Sequence, residues 1–402
     1  MHSMTIINAL IITPEELLKD ATLLIKDGKI AAINQKEPAH TEIVLDANGS
    51  ILMPGIIDIH TDALDAEIVP RPGADIPIMV AFKELERKMS GCGITTVYHS
   101  LHLGYDKAEN SSRSKYSREE VFKTVNNAIN GKTILHNKIH LRFELTGIYA
   151  YETCFDLIEK GYIGMLSVMD HTPGQGQFTK EVYIDTMTKS GKSLSQAISD
   201  YENMITLPKI EGEMLEKLVR FAVSKGIPVA SHDDDSIEKV NHMHHLGVDI
   251  CEFPINLQTA QQATKLGMHV VGGASNILRG GSLSGNLNIK DAVLDGAVNA
   301  LCSDYYPAAL LHSVFKLNED YGLDFCKAIN LATLQAAKAA RIDHLTGSIE
   351  VGKFADLIIV DREGEVPMVN YTIVNGELVV SAKNKNGGHI KHAKPDFSIN
   401  EN

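Results

Sequence analysis

Apolar positions recur along this chain in two rhythms, and the change between them divides it. At the amino end, short β-type runs at Ile6 to Ile12, Ala21 to Ile25, Ile30 to Ile33 and Glu42 to Leu45 are separated by turns such as Lys26-Asp27-Gly28-Lys29. This predicts hairpins. The carboxyl end repeats the pattern at Asp356 to Val360, Tyr371 to Val374 and Glu377 to Val380, with an Asn375-Gly376 turn. Two β-rich ends around a different middle can pair into one small sheet domain, made from residues 1–54 and 347–402.

In residues 55–346, apolar β-type runs alternate with longer segments of helical period. Eight runs stand out: Gly55 to His60, Ile94 to His99, His140 to Leu145, Ile163 to His171, Ile227 to His232, Val248 to Phe253, His269 to Ala274 and Ala300 to Asp304. Stretches such as Glu213 to Ser224 and Ser236 to Leu246 carry amphipathic helical spacing between them. The alternation predicts the α/β class and a TIM-type (β/α)8 barrel, with its chemistry at the C-terminal strand ends. Thr172 to about Pro208 is far longer than the roughly 2 to 6 residues of an ordinary strand-to-helix loop, and is expected to be a lid or substrate loop. The polar stretch Tyr105 to Arg118 is a second such candidate.

Composition narrows the classes. At 402 residues with 44% hydrophobic content, a large domain plus a small one is the default. A net charge of -13 argues against a nucleic-acid partner. Five cysteines without a CxxC pair read as buried thiols of a reducing compartment. No run is long enough for a membrane span and the start lacks a signal peptide's pattern, so a cytoplasmic location is expected.

The predicted strands end in His60 with Asp62, His99, Glu144, His171, His232 and Asp304. Taken singly, each is an ordinary core or capping residue. Together, imidazoles and carboxylates on one rim suit one or two divalent transition ions, zinc before manganese. His60, Asp62, Glu144, His171, His232 and Asp304 are the metal candidates, while His99 and His102 are candidates for substrate contact. His242, His244 and His245 sit on a predicted helix and read as a solvated face.

The strings ILMPGIIDIHTD at Ile51 to Asp62 and GSIEVGKFADLIIVD at Gly347 to Asp361 resemble the entry and exit signatures of the amidohydrolase superfamily, a resemblance that implies a metal-bearing barrel plus a small β-sandwich domain built from both chain ends. HTDALDAEIVPRPGADIP, SVMDHTPGQGQF, ASHDDD, RGGSLSGN and SDYYPAALL, beginning at His60, Ser167, Ala230, Arg279 and Ser303, resemble the phosphonate-utilisation diphosphatases over nearly the whole chain. The resemblance implies hydrolysis of alpha-D-ribose 1-methylphosphonate 5-triphosphate to the 5-phosphate and pyrophosphate, within the carbon-phosphorus lyase pathway. It carries over a homo-oligomer by analogy only. The chain departs from the superfamily's His-x-His with His60-Thr61-Asp62. Its histidines end the fourth and fifth predicted strands rather than the fifth and sixth, where Glu252 stands. Either the strand count or the ligand set is shifted. This leaves open the metal count and whether Glu144 bridges two ions.

Arg279 and the following Gly-Gly-Ser-Leu-Ser-Gly-Asn come after the seventh predicted strand, where such barrels often bind phosphate. Backbone N–H groups, Ser282, Ser284 and the Arg279 guanidinium suit a small-molecule phosphorylated substrate. Arg71, stiffened by prolines, is a further candidate contact, and Lys115, Arg113 and Arg118 can add positive charge. In this reading metal-activated water attacks, and Asp304 orients it and takes its proton. Two alternatives stay open: a hydrolase of C–N bonds with the same ligands, and a catalytically silent ligand-binding barrel.

Overall fold

The computed structural model describes residues 3–34, 41–104, 114–174, 179–282, 285–382 and 390–392. Five strands open the chain: β1 (Ser3–Ile12), β2 (Leu17–Lys26), β3 (Lys29–Ile33), β4 (Ile43–Asp46) and β5 (Ile51–Pro54). Eight follow in the middle: β6 (Ile56–Thr61), β7 (Ile94–Leu103), β8 (His136–Glu144), β9 (Ile163–Met169), β10 (Val229–His232), β11 (Ile250–Glu252), β12 (His269–Gly273) and β13 (Ala300–Cys302). Four close it: β14 (Leu357–Glu363), β15 (Val366–Val374), β16 (Glu377–Ser381) and β17 (Ile390–His392).

The two chain ends meet in one nine-stranded sheet, in which β14 lies antiparallel to β5 and β17 pairs with β4. Alternate residues of these strands, among them Ile6, Ile11, Leu23, Leu52, Leu357 and Ile359, form a separate apolar core. Its turns are matched to each other. Gly28 and Gly376, each at positive φ, approach so closely that a Cβ on Gly376 would lie 3.0 Å from the Gly28 Cα. The amino-end and carboxyl-end hairpin turns are thus packed glycine on glycine, which no larger residue permits.

β6 to β13 form an eight-stranded parallel sheet in chain order. It nearly closes: a parallel bridge joins Thr61 to Asp304, and the Asp304 N–H donates to His60 O at 3.0 Å. Each predicted run coincides with one of these strands. Ile57, Ile59, Met165, Ala230, Ile250, Val271 and Ala300 fill the barrel, while a larger core lies between strands and helices. The helix Glu213–Ser224 shows why the pattern folds this way. Leu215, Leu218, Val219 and Ala222 recur at helical spacing and are buried, each large one contributing on the order of 2 kcal/mol.

The segment after His171 is not an extended loop. It holds two helices, Lys180–Lys189 and Leu194–Met204, the second opened by a Ser193–Gln196 capping box. Its base is pinned by the Lys209–Asp170 ion pair at 2.8 Å and by the Ile210 N–H on Leu145 O. Among the described residues, no helix is long and apolar enough to cross a membrane. The five cysteines are free, four of them buried.

Candidate metal centre

Parallel strands put all their carboxyl ends on one rim, so the residues that terminate them converge. His60 lies buried near the end of β6, and its Nδ1–H donates at 3.1 Å to Glu252 Oε1 from the end of β11. The other Glu252 oxygen accepts from Ser167 Oγ at 2.8 Å. Beside them His140 donates through Nδ1 to Ile59 O at 2.9 Å, leaving its buried Nε2 without a hydrogen-bond partner. Burial pushes the His140 ring down to about 3, and burial with the nearby Arg142 charge lowers His60 well below its ordinary value. Both rings are held neutral, the form that can ligate a metal.

Above this floor His171 is oriented by a single carboxylate. Its Nδ1–H donates to Glu144 Oε2 at 2.7 Å, and its backbone N–H to Glu144 Oε1 at 3.0 Å. A carboxylate on one ring nitrogen is the usual support of a metal-ligating histidine. Both Glu144 oxygens are therefore engaged by His171, and Glu144 belongs to none of the three donor clusters found among the described residues. Those clusters are His60–His140–Glu252, His171–His232–Asp233 and His60–Asp62–Asp304. Glu144 is placed by the close contact of the loops after β7 and β8, where a Cβ on Gly147 would lie 2.3 Å from the Gly104 Cα.

The donor set fits a divalent ion. Asp233 Oδ2 lies 3.7 Å from His171 Nε2 and 3.3 Å from His232 Nδ1, an atom that is buried without a hydrogen-bond partner. Ligand atoms at the usual 2.0–2.2 Å from a tetrahedral ion stand roughly 3.4 Å apart. Asp233 is also driven below the carboxylate range: burial opposes this, but the His232 charge outweighs it.

Asp62 takes a different partner. Arg142, buried near the end of β8, places Nη1 2.7 and 2.8 Å from the two Asp62 oxygens and 3.1 Å from His102 Nε2. Asp304 sits opposite, raised to about 6 by burial and by the like charge of Asp62. Three rim residues hold left-handed backbones, Asp233 at φ 52°, Phe253 at φ 52° and Asp304 at φ 65°. For residues other than glycine this costs on the order of 1–3 kcal/mol each and is concentrated at functional sites.

A cavity of about 290 Å3 opens over this rim, lined by Asp62, Arg142, His232, Asp233 and Asp304. Arg279, Ser282, Asn286 and Tyr305 line it as well, so the glycine-rich segment reaches the same cavity as these candidate ligands. Ser284 lies outside the described residues, as do Tyr105 and Arg113. Arg71 is exposed in a turn and does not line the cavity. His99 is completely buried, bonded through Nε2 to Asn137 Oδ1 at 2.9 Å and packed on Phe82, away from the cavity. Strand alternation explains it: His99 and His102 differ in parity, and His102 is the one that meets Arg142. Arg118 pairs with Asp65 at 3.2 Å. His242, His244 and His245 are exposed.

Sequence reasoning did not single out Arg142, Asp233 or His140 as site residues. Arg142 and His140 share parity with Glu144 on β8, and period-two alternation from Glu144 identifies both. Asp233 follows His232 directly and is brought into the rim by its left-handed backbone, which no periodicity displays. The strand count stands: His171 lies two residues past β9, the fourth barrel strand, and His232 ends the fifth. The arrangement of histidines is what differs from the common pattern.

The amidohydrolase family's sequence profile matches residues 204–380. Alpha-D-ribose 1-methylphosphonate 5-triphosphate diphosphatase of Escherichia coli (strain K12) is 32% identical over 93% of this chain and 100% of its own length. Imidazolonepropionase of Picrophilus torridus is 21% identical over 91% of this chain and 94% of its own. A crystal structure of an amidohydrolase superposes with a TM-score of 0.65 at 17% identity, covering 95% of this chain and 100% of the other. With a full-length relative and a shared barrel, this chain belongs to the amidohydrolase family and is a metal-dependent hydrolase.

Proposed function

We propose that the chain is a diphosphatase that releases pyrophosphate from a ribose 1-phosphonate 5-triphosphate in phosphonate catabolism. Residues 55–346 form its catalytic barrel, and residues 1–54 with 347–402 its supporting domain. The observation that carries this reading is the cavity itself: His232 and the carboxylates of Asp62, Asp233 and Asp304 share its lining with Arg279, Ser282 and Asn286. An anionic substrate gives the Arg279 guanidinium a charge partner. The full-length relative whose name specifies this activity supports the same substrate.

His171, His232 and Asp233 would hold the ion, with Glu144 fixing the His171 ring and the Glu252–His60 pair setting the floor beneath. Zinc suits this nitrogen and oxygen set, and manganese is the second choice. When bound, the ion supplies activation of water and polarisation of a phosphoryl oxygen. Asp304 is ionised above about pH 6 and accepts the water's proton at its carboxylate. Arg279 and Ser282 bind the outer phosphates, and the substrate's charge fits a reducing, cytoplasmic setting for a chain whose thiols are all free.

The test is direct. Zinc-reconstituted protein is incubated with ribose 1-methylphosphonate 5-triphosphate or with ATP, and products are followed by phosphorus NMR. Pyrophosphate release that prefers the ribosyl phosphonate is expected. Intact triphosphate in the presence of measured bound zinc would overturn the reading and turn the search to C–N substrates.

A further inference from the structure

The cluster His60–Asp62–Asp304 has the donors of a second ion position, yet a guanidinium is built into it. Arg142 is 6% exposed and reaches the rim from β8. Its Nη1 spans both oxygens of Asp62 at 2.7 and 2.8 Å, and its Nε donates to Met169 Sδ at 3.2 Å. Its Nη2 lies 3.5 Å from His232 Nε2, at the outer limit of a hydrogen bond. The side chain is thus fixed along its length by packing on one side and by a carboxylate on the other.

Three physical points follow. Guanidinium does not lose its proton in proteins, so this charge is permanent at any working pH. A divalent ion on the Asp62 oxygens would have to displace Arg142 and leave a buried cation without its carboxylate, which is strongly unfavourable. The departure from His-x-His has its explanation here as well: an aspartate at position 62 suits a guanidinium better than an imidazole would, because a carboxylate neutralises the cation and a ring cannot. In the His171–His232–Asp233 cluster the Asp233 carboxylate meets two imidazoles, 3.7 Å from His171 Nε2 and 3.3 Å from His232 Nδ1.

We infer that this centre takes one metal ion, at His171, His232 and Asp233, and that Arg142, held by Asp62, supplies the second positive charge at the reacting phosphoryl group. Arg142 and Arg279 both line the cavity, so a phosphate chain bound there meets two guanidinium groups. A guanidinium offers directional N–H donors to a phosphoryl oxygen, which a spherical ion does not. The anion half of this inference rests on the diphosphatase reading, while the one-metal half does not.

The experiment reads the two halves separately. Metal-stripped protein is saturated with Zn2+, desalted and analysed by mass spectrometry of the metal, and pyrophosphate affinity is then measured by calorimetry for wild type, Arg142→Met and Arg142→Lys. The expected results are one zinc per chain in wild type and pyrophosphate binding at least ten-fold weaker in Arg142→Met, with Arg142→Lys in between. Two zinc ions per wild-type chain would overturn the one-metal assignment whether or not the variants fold. Unchanged pyrophosphate affinity in folded Arg142→Met, judged by its thermal melt, would overturn the role of Arg142 and leave the diphosphatase reading standing. A wild-type protein that binds no pyrophosphate would remove that reading and the anion half together, with the zinc count still deciding the rest.

Discussion

His60 packs against His232, a residue of the cavity lining, while Arg279 lines the cavity itself, and the two stand in unlike settings. His60 is 1% exposed, bonded to a glutamate that is itself bonded to a serine, and ends a strand buried along its whole length. Arg279 is exposed at the last position of a six-residue helix, followed by Gly280 and Gly281, both at positive φ. The floor of the site is fixed by hydrogen bonds inside a packed barrel, and its wall by a short helix and loop. A change in the floor should therefore register in metal content and turnover, a change in the wall in substrate affinity.

The largest effect is expected where floor and wall meet. Asp304→Asn keeps the shape but removes the proton acceptor, and turnover should fall by roughly 10²- to 10⁴-fold with zinc content unchanged. An active Asp304→Asn enzyme would strip that residue of its role. Next comes the support of the ligands. Glu144→Gln leaves His171 poorly oriented, and zinc affinity should weaken by about 10- to 100-fold, as for other outer partners of ligating histidines. Zinc binding as tight as wild type, measured by chelator competition, would mean that Glu144 does not position the ring.

His99 sharpens the comparison from outside the site, because it is as buried as His60 and yet faces Phe82 and Asn137. Burial pushes its ring down to about 4 from an ordinary 6.5. Since the folded value is depressed, the contribution of the neutral ring is complete above pH 6.5 and is lost as pH falls from there to 4, the loss reaching about 2 kcal/mol by pH 5. Chemical unfolding of His99→Gln across this window should show a shallower acid slope with zinc content unaltered. An unchanged slope would place the acid sensitivity elsewhere. The smallest effect belongs to the wall: Arg279→Ala should weaken pyrophosphate binding by about ten-fold, the worth of one exposed charge-assisted contact, with kcat nearly constant. A drop in zinc content instead would show that wall and floor are not separable.

Much of the architecture was legible because its signals are local. All eight barrel strands lie on the apolar runs that alternate with helical segments, and the hairpins at both ends follow from alternation closed by Asp-Gly and Asn-Gly turns. Strand termination likewise picked out His60, Asp62, Glu144, His171, His232 and Asp304, because a parallel barrel sends every strand's carboxyl end to one rim. The glycine-rich segment was placed by the same rule. His99 was misjudged because strand end and strand face are different properties. A run of apolar residues buried on both sides hides the parity that separates His99 from His102.

What the sequence by itself determined, then, was the order of elements, the rim they form and the residue types gathered there, since each depends on neighbours within one or two turns of chain. Only the tertiary structure decided which of those residues act as donors and which as supports. Glu144 spends both oxygens on His171, Asp62 is held by Arg142, and Glu252, on a strand far along the chain, fixes His60. Such assignments depend on angstrom distances between side chains 27, 80 and 192 residues apart, which no periodicity along the chain encodes.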